Sequence, residues 1–454
     1  MSAQQHLENR PEWSGRMAFI LASAGSAVGL GNIWKFPYIM GENGGGAFVM
    51  IYLACLLIVA APILISEAML GRRARSNPIT GMGKLRREAG VSSGWQVIGW
   101  MGVLTGFLIL SFYSVVMGWA LAYVKKAADG VFVGASVETI SGLFDNLVAS
   151  PGTLLFWHTV AMVFTVTVVA RGVRDGLELA TRIMMPMLLV LLVLLLGYNI
   201  GTPGFAPAME FMFAPDFSKV SGQTVLVALG HAFFTLSLGM GAIMVYGSYM
   251  PGGVSIVRAS FWIILLDTGT ALLAGMVIFP IVFSNGMSPE QGAGLVFQTL
   301  PLALGQMEWG YWLAIVLFVL VSIAAWTSAI SLVEPAVSYL WEQLGIPRWQ
   351  SAVAVGVSTW SLGVLAALSF SLLGEVTLFG KTIFGLLDFV TANIMLPAGG
   401  MLISLFAAWR MRRADSRAEL GLDGWRYQLW WWLAAVVAPA GVALVFLNGL
   451  GLFG

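Results

Sequence analysis

Apolar residues in this chain fall into long unbroken runs, not the short alternating segments of a β-barrel. A membrane-spanning helix needs about 20 mostly apolar residues. Runs of that kind occur at 16–40, 46–70, 96–124, 153–171, 181–201, 223–250, 256–284, 310–341, 349–370, 378–409 and 428–450. The pattern predicts eleven transmembrane helices. The first run reads as a span and not as a cleaved leader. Ala22-Ser23-Ala24 resembles a cleavage site, but the apolar stretch continues past it, and Glu8 and Glu12 interrupt what would be a basic leading segment.

Two of the runs contain clustered glycines at mid-membrane depth. The first holds Gly25-Ser26-Ala27-Val28-Gly29-Leu30-Gly31-Asn32, and the sixth holds Phe234-Thr235-Leu236-Ser237-Leu238-Gly239-Met240-Gly241. Taken singly, either could be a close-packing motif, since Gly25 and Gly29 are in small-xxx-small spacing. As a pair they open matching sets of five helices. That placement points to interrupted helices around a midplane site in an inverted-repeat transporter. Unwinding there exposes half-helix N-termini to a carboxylate and backbone carbonyls to a cation.

Composition narrows the class. Hydrophobic residues make up 58% of the 454 residues and charged residues only 10%, against roughly 25% charged in soluble domains. A soluble enzyme, a disordered regulator and a disulfide-stapled domain are excluded. A net charge of +1 offers no basic field for nucleic acid, and Cys55 as the single cysteine allows neither an internal disulfide nor a thiolate cluster.

Basic residues set the orientation, because they resist translocation. With the N-terminus inside, eighteen of the 23 lysines and arginines fall on cytoplasmic segments, leaving Lys35, Lys125, Lys126, Lys219 and Lys381 outside or in the membrane. The C-terminus is then outside. The predicted location is the plasma membrane, the inner one for a bacterial source.

Asp267 lies within the seventh run. A charge there costs roughly 2.5–3.5 kcal/mol on insertion scales, so a partner or hydrated cavity is expected. Its carboxylate, with the oxygens of Asn32, Thr235, Thr327 and Ser328, suits a hard cation. Each neutral group alone could merely bond back to its own helix.

The segment from Trp13 to Gly71 resembles the sodium-coupled neurotransmitter and amino-acid symporters. The likeness is carried by Gly29-Leu30-Gly31-Asn32-Ile33-Trp34-Lys35-Phe36-Pro37-Tyr38 and Glu42-Asn43-Gly44-Gly45-Gly46-Ala47-Phe48. Phe233-Phe234-Thr235-Leu236-Ser237-Leu238-Gly239 and Ala324-Ala325-Trp326-Thr327-Ser328 extend it across the chain. Only the twelfth helix of many members is lacking. The resemblance implies an all-α polytopic protein, a LeuT-like 5+5 inverted repeat with broken helices 1 and 6 plus one extra C-terminal helix. A cytoplasmic segment 1–15 would precede the first repeat, 16–201. The second repeat, 202–409, would include an extracellular loop 285–309. A cytoplasmic loop 410–427 would lead to the last helix and extracellular C-terminus, 428–454.

It further implies secondary active transport by alternating access, driven by sodium at two sites. The first site would use the Ala27 carbonyl, Asn32, Thr235, Asp267 and the substrate carboxylate. The second would use carbonyls of Gly25, Val28 and Ala324 with the hydroxyls of Thr327 and Ser328. Asp267 replaces a neutral Asn of many members, so its own charge removes the need for chloride, and chloride independence is expected. A proton moving on Asp267 in the sodium-free return step is a further expectation.

Gly29 stands where monoamine carriers place an Asp, which implies a substrate bringing its own carboxylate. That carboxylate would meet the amides of Leu30 and Gly31 and the Tyr113 hydroxyl. The amino group would meet carbonyls at Ala27, Phe234 and Ser237. Ile109, Tyr113, Phe234, Met240, Ser328 and Leu332 would form an uncharged side-chain pocket for a neutral, hydrophobic or aromatic amino acid. Lys35 and Asp388 resemble an outer gate closed over by Phe234 and Tyr113. Arg10 and Glu342 resemble an inner one, with Trp13, Ser248 and Tyr249 around them. His231 stands where Gln is commoner, and Glu334-Pro335 reads as a buried acid at a proline kink.

The lipid bilayer and the amino acid are the expected partners, and self-association stays open. A sodium-responsive sensor of the same fold is the alternative. An ion channel is a lesser alternative, weakened by the apolar pocket and the absence of repeated acidic rings, and an enzyme would need a nucleophile–base or metal constellation, whereas His6, His158 and His231 have no metal-like spacing.

Overall fold

The computed structural model describes residues 11–289 and 294–449. In chain order its helices are α1 (Arg16–Ala27), α2 (Gly31–Glu42), α3 (Gly46–Ala74), α4 (Pro78–Glu88), α5 (Ser93–Ala128) and α6 (Val137–Ala149). Then come α7 (Pro151–Ala170), α8 (Val173–Asn199), α9 (Phe205–Phe213), α10 (Gly222–Thr235), α11 (Ala242–Ser248) and α12 (Ile256–Ser284). The last are α13 (Leu295–Gly305), α14 (Gly310–Leu344), α15 (Arg348–Leu368), α16 (Ile383–Arg410), α17 (Arg413–Leu420) and α18 (Gly424–Gly449). Strands β1 (Thr377–Leu378) and β2 (Lys381–Thr382) pair antiparallel, with Thr377 opposite Thr382.

Among the described residues nine of these helices are long and apolar enough to cross a membrane, and α1 with α2 makes a further span bent by 51°. The expected eleven therefore depend on reading α10 and α11, separated by residues 236–241, as one more interrupted span. Hydropathy located the spans but missed α4, α6, α9, α13 and α17. These helices are too short to cross a bilayer, so a search for 20-residue runs passes over them. Two of them have a local start signal: Asn77 caps α4 by accepting from the Thr80 amide, and Ser136 caps α6 through the Thr139 amide.

The core is a bundle in which α5 lies along α14, α3 against α11, and α1 against α12 and α14. Small residues let the backbones approach. A Cβ added at Gly71 of α3 would run into the Met244 carbonyl of α11, and one at Gly247 would stand 2.6 Å from the Ala68 carbonyl. Lipid-facing surfaces carry exposed Leu, Ile, Val and Phe, as at Ile183, Val190 and Leu194 on α8.

The two breaks have separate local causes. α1 ends where Val28 turns to extended backbone (φ −71°, ψ 101°). Past α10 the chain takes positive φ at Ser237 (54°), Gly239 (80°) and Gly241 (75°), which no helix accommodates. Ser237 is the costly member, since it has a side chain, and its hydroxyl donates to the Ser26 carbonyl at 2.8 Å. That bond fastens one break to the other.

Candidate functional site

Both interruptions meet the middle of α12 and α14. Asn32, at the start of α2, directs its amide nitrogen to Asp267 Oδ1 (2.7 Å), to the Asp267 carbonyl (3.0 Å) and to Thr235 Oγ1 (3.3 Å). The Thr235 hydroxyl donates to both Asp267 carboxylate oxygens (3.1 and 3.2 Å). The Asn32 amide oxygen accepts from the Gly29 amide at 3.0 Å. Asp267 is wholly buried, as are Asn32 and Thr235. This cluster joins α2, the end of α10 and α12 around one carboxylate. Ala27, the remaining protein member expected at the first sodium site, lines the adjoining cavity.

On the far side of the break, the Thr327 hydroxyl lies 3.3 Å from the Val28 carbonyl and donates to the Ala324 carbonyl at 2.9 Å. Three of the five expected members of the second sodium site thus share one locus. Ser328 turns its hydroxyl to the Ser26 carbonyl (3.2 Å). Gly25 packs against Thr181 and Met185 of α8.

All ten residues expected to bind substrate line a single cavity: Ala27, Leu30, Gly31, Ile109, Tyr113, Phe234, Ser237, Met240, Ser328 and Leu332. Among the described residues Ser26, Gly29, Thr235 and Ser331 complete its wall, and none of the wall's side chains is charged. Its volume is about 40 Å³, enough for a few waters but too small for a large side chain. The Tyr113 hydroxyl sits 3.4 Å from the Leu30 amide. Thr235 belongs to both the wall and the Asp267 cluster, which makes the two adjacent.

The gates differ in detail from expectation. The Lys35 ammonium lies 4.3 Å above the Phe234 ring centroid, a cation–π contact. Lys35 and Asp388 lie within electrostatic range, but no direct ion pair joins them. On the opposite side Arg10 lies outside the described residues. Glu342 accepts from the Asn77 amide (2.7 Å) and the Asn77 side chain (2.9 Å). Trp13 is buried, donating from its amide to the Tyr249 carbonyl (3.0 Å) and from its indole to the Tyr246 carbonyl (2.9 Å). Its ring packs edge-on to both tyrosines. The Ser248 hydroxyl bonds to the Val245 carbonyl within α11. The Tyr249 hydroxyl continues to Glu334 (2.7 Å), which also holds Arg348 (2.5 Å). Glu334, expected as a buried acid, is therefore half of an ion pair. His231 packs between Phe36 and Tyr52, away from solvent.

Glu67 is the functional residue that sequence reading missed. Wholly buried in α3, it accepts from the Gly239 amide (3.0 Å) and the Met244 amide (3.3 Å), holding the unwound stretch between α10 and α11 in place. The signal was present: an acid inside the run 46–70 raises the same insertion cost as Asp267. Glu67→Leu leaves two buried amides without an acceptor, at about 1–3 kcal/mol each. Thermal unfolding in detergent should shift down strongly for Glu67→Leu and less for Glu67→Gln, which keeps one acceptor. Equal stability of all three proteins would remove Glu67 from this role. Ser26 was also missed; its carbonyl accepts from Ser237 and Ser328, and its hydroxyl donates to Ser331 at 2.8 Å.

A family profile for the sodium:neurotransmitter symporter family matches residues 10–136 and 131–452. An uncharacterized sodium-dependent transporter of Bacillus subtilis, YhdH, is 38% identical over 450 residues, covering 98% of this chain and 99% of the relative. One from Haemophilus influenzae is 30% identical, covering 98% and 99%. The crystal structure of MhsT in complex with L-phenylalanine superposes with a TM-score of 0.89 at 41% identity, covering 97% of this chain and all of the other.

Proposed function

Because the chain belongs to the sodium:neurotransmitter symporter family, we propose that it couples sodium entry to uptake of a neutral, hydrophobic or aromatic amino acid, without chloride. It is a multi-pass, sodium-dependent symporter of LeuT-like fold, and its relatives are transporters and not enzymes. The observation that carries the finer reading is the contact of Asp267 with Asn32 and Thr235 at the wall of an uncharged cavity. A cation there would sit between a fixed carboxylate and the carboxylate of the substrate, so that each ligand raises the affinity for the other. Thr327, with the carbonyls of Val28 and Ala324, would hold a second sodium binding the first break to α14. An amino acid with its own carboxylate fits a wall that offers amides and Tyr113 but no acid. The phenylalanine bound by MhsT supports an aromatic side chain. The fixed charge of Asp267 supports chloride independence, since an anion would crowd an already negative site. The basic-residue bias supports a cytoplasmic N-terminus.

The test is uptake of radiolabelled neutral amino acids into proteoliposomes, with phenylalanine first. Uptake should need an inward sodium gradient, fail with potassium, and persist when gluconate replaces chloride. Uptake abolished by gluconate would end the chloride part of the reading. Binding without uptake would favour a sensor.

A further inference from the structure

We propose that Arg16 and Arg182 form a binding site for the headgroup of an anionic phospholipid, on the side of the membrane that holds the N-terminus. The start of α1 and the first turns of α8 enclose a cavity of about 360 Å³. Arg16, Arg182, Ser14 and Glu178 form its polar wall, and Met17 and Leu21 an apolar one. Among the described residues neither arginine has a hydrogen-bond or ion-pair partner, and both are exposed. Glu178, the acid beside them, is already engaged: it accepts from the Ser14 amide at 3.0 Å and from the Ser14 hydroxyl. Two guanidinium groups thus face a cavity whose one carboxylate among the described residues is already hydrogen-bonded. Planar guanidinium forks match phosphate oxygens.

The surroundings favour a lipid over a free phosphate. Arg182 stands between Leu179 and Ile183, which begin an exposed apolar stripe continuing through Met187, Val190 and Leu194 of α8. Met17, beside Arg16, is 60% exposed. An acyl chain on that stripe would bring its headgroup to the two arginines. The site also touches the inner closure. Ser14, held by Glu178, directly follows Trp13, which is locked to Tyr246 and Tyr249. A phosphate bridging Arg16 of α1 and Arg182 of α8 would brace the same joint and favour the closed inner side. None of this depends on which substrate is carried.

The experiment titrates the detergent-purified full chain with dioctanoyl phosphatidylglycerol, dioctanoyl phosphatidylcholine and glycerol phosphate, read by native mass spectrometry. Wild type should bind phosphatidylglycerol in preference to the zwitterionic lipid. Arg16→Gln and Arg182→Gln should each weaken it about fivefold, as expected for one basic residue at a membrane surface. Arg426→Gln, on another exposed arginine, should leave binding unchanged, and circular dichroism checks that every variant is folded. Variants that bind like wild type overturn the site. Glycerol phosphate bound as tightly as the lipid overturns the lipid assignment. Equal weakening by Arg426→Gln means a diffuse charge effect and overturns it as well.

Discussion

Asp267→Asn should lower the sodium affinity of substrate binding by on the order of 100-fold, equivalent to about 2.7 kcal/mol. The substitution keeps the shape of the side chain and removes only its charge. Asn32 and Thr235 both direct hydrogens at this carboxylate. Its charge lies beside an otherwise uncharged cavity, so no neighbour in the wall replaces it. A charged side chain in this buried setting interacts with a cation at low effective dielectric, where a full charge outweighs an amide dipole. Asp267→Ala should do the same and additionally leave the Asn32 and Thr235 donors short of an acceptor. The measurement is equilibrium binding of radiolabelled substrate over a sodium titration, in chloride and in gluconate. If the negative charge of Asp267 is what makes chloride dispensable, the Asn variant should regain part of its affinity in chloride and none in gluconate. A variant with the sodium dependence of wild type would show that the cation binds elsewhere.

Gly29→Asp should abolish amino-acid binding, and Gly29→Ala should weaken it less. A Cβ at this position would overlap the Ser328 hydroxyl oxygen and come within 3.1 Å of the Tyr113 hydroxyl. Alanine therefore imposes a steric cost on the wall. Aspartate adds a carboxylate facing the one the substrate brings. Two like charges 4 Å apart repel by about 4 kcal/mol at an effective dielectric of 20, close to a thousandfold in affinity. The difference between the two variants isolates charge from size. Phenethylamine, which lacks the carboxylate, gives the contrast: it should suffer the steric cost of both variants but not the charge repulsion of the Asp one. Equal loss in both variants would mean that space alone, and not the substrate carboxylate, governs this position.

Much of this site was legible in residue order. The runs of apolar residues marked where helices cross, and the glycines in 25–31 and 239–241 marked where two of them break. An acid at 267 in an apolar run demanded a partner, because an isolated charge in the membrane is costly. The same rule applied to Glu67 would have found the tether of the second break. It was passed over because its partners are remote in sequence: Gly239 and Met244 are 172 and 177 residues away. The pairing of Glu334 with Arg348 was likewise hidden. A buried acid can be read from sequence, but which cation neutralises it depends on how helix ends meet.

Residue order alone determined the class, an all-helical membrane protein with two interrupted spans, because the bilayer leaves so few ways to satisfy a backbone. The resemblance of its motifs determined the family. Tertiary structure decided what lies between the elements. It turned Ser328 toward the Ser26 carbonyl, set Lys35 over Phe234 and not in direct contact with Asp388, and closed the central cavity to about 40 Å³. Those outcomes depend on side-chain directions across helices far apart in the chain. Periodicity reports which face of a helix is apolar, but not which atom of a neighbouring helix that face will meet.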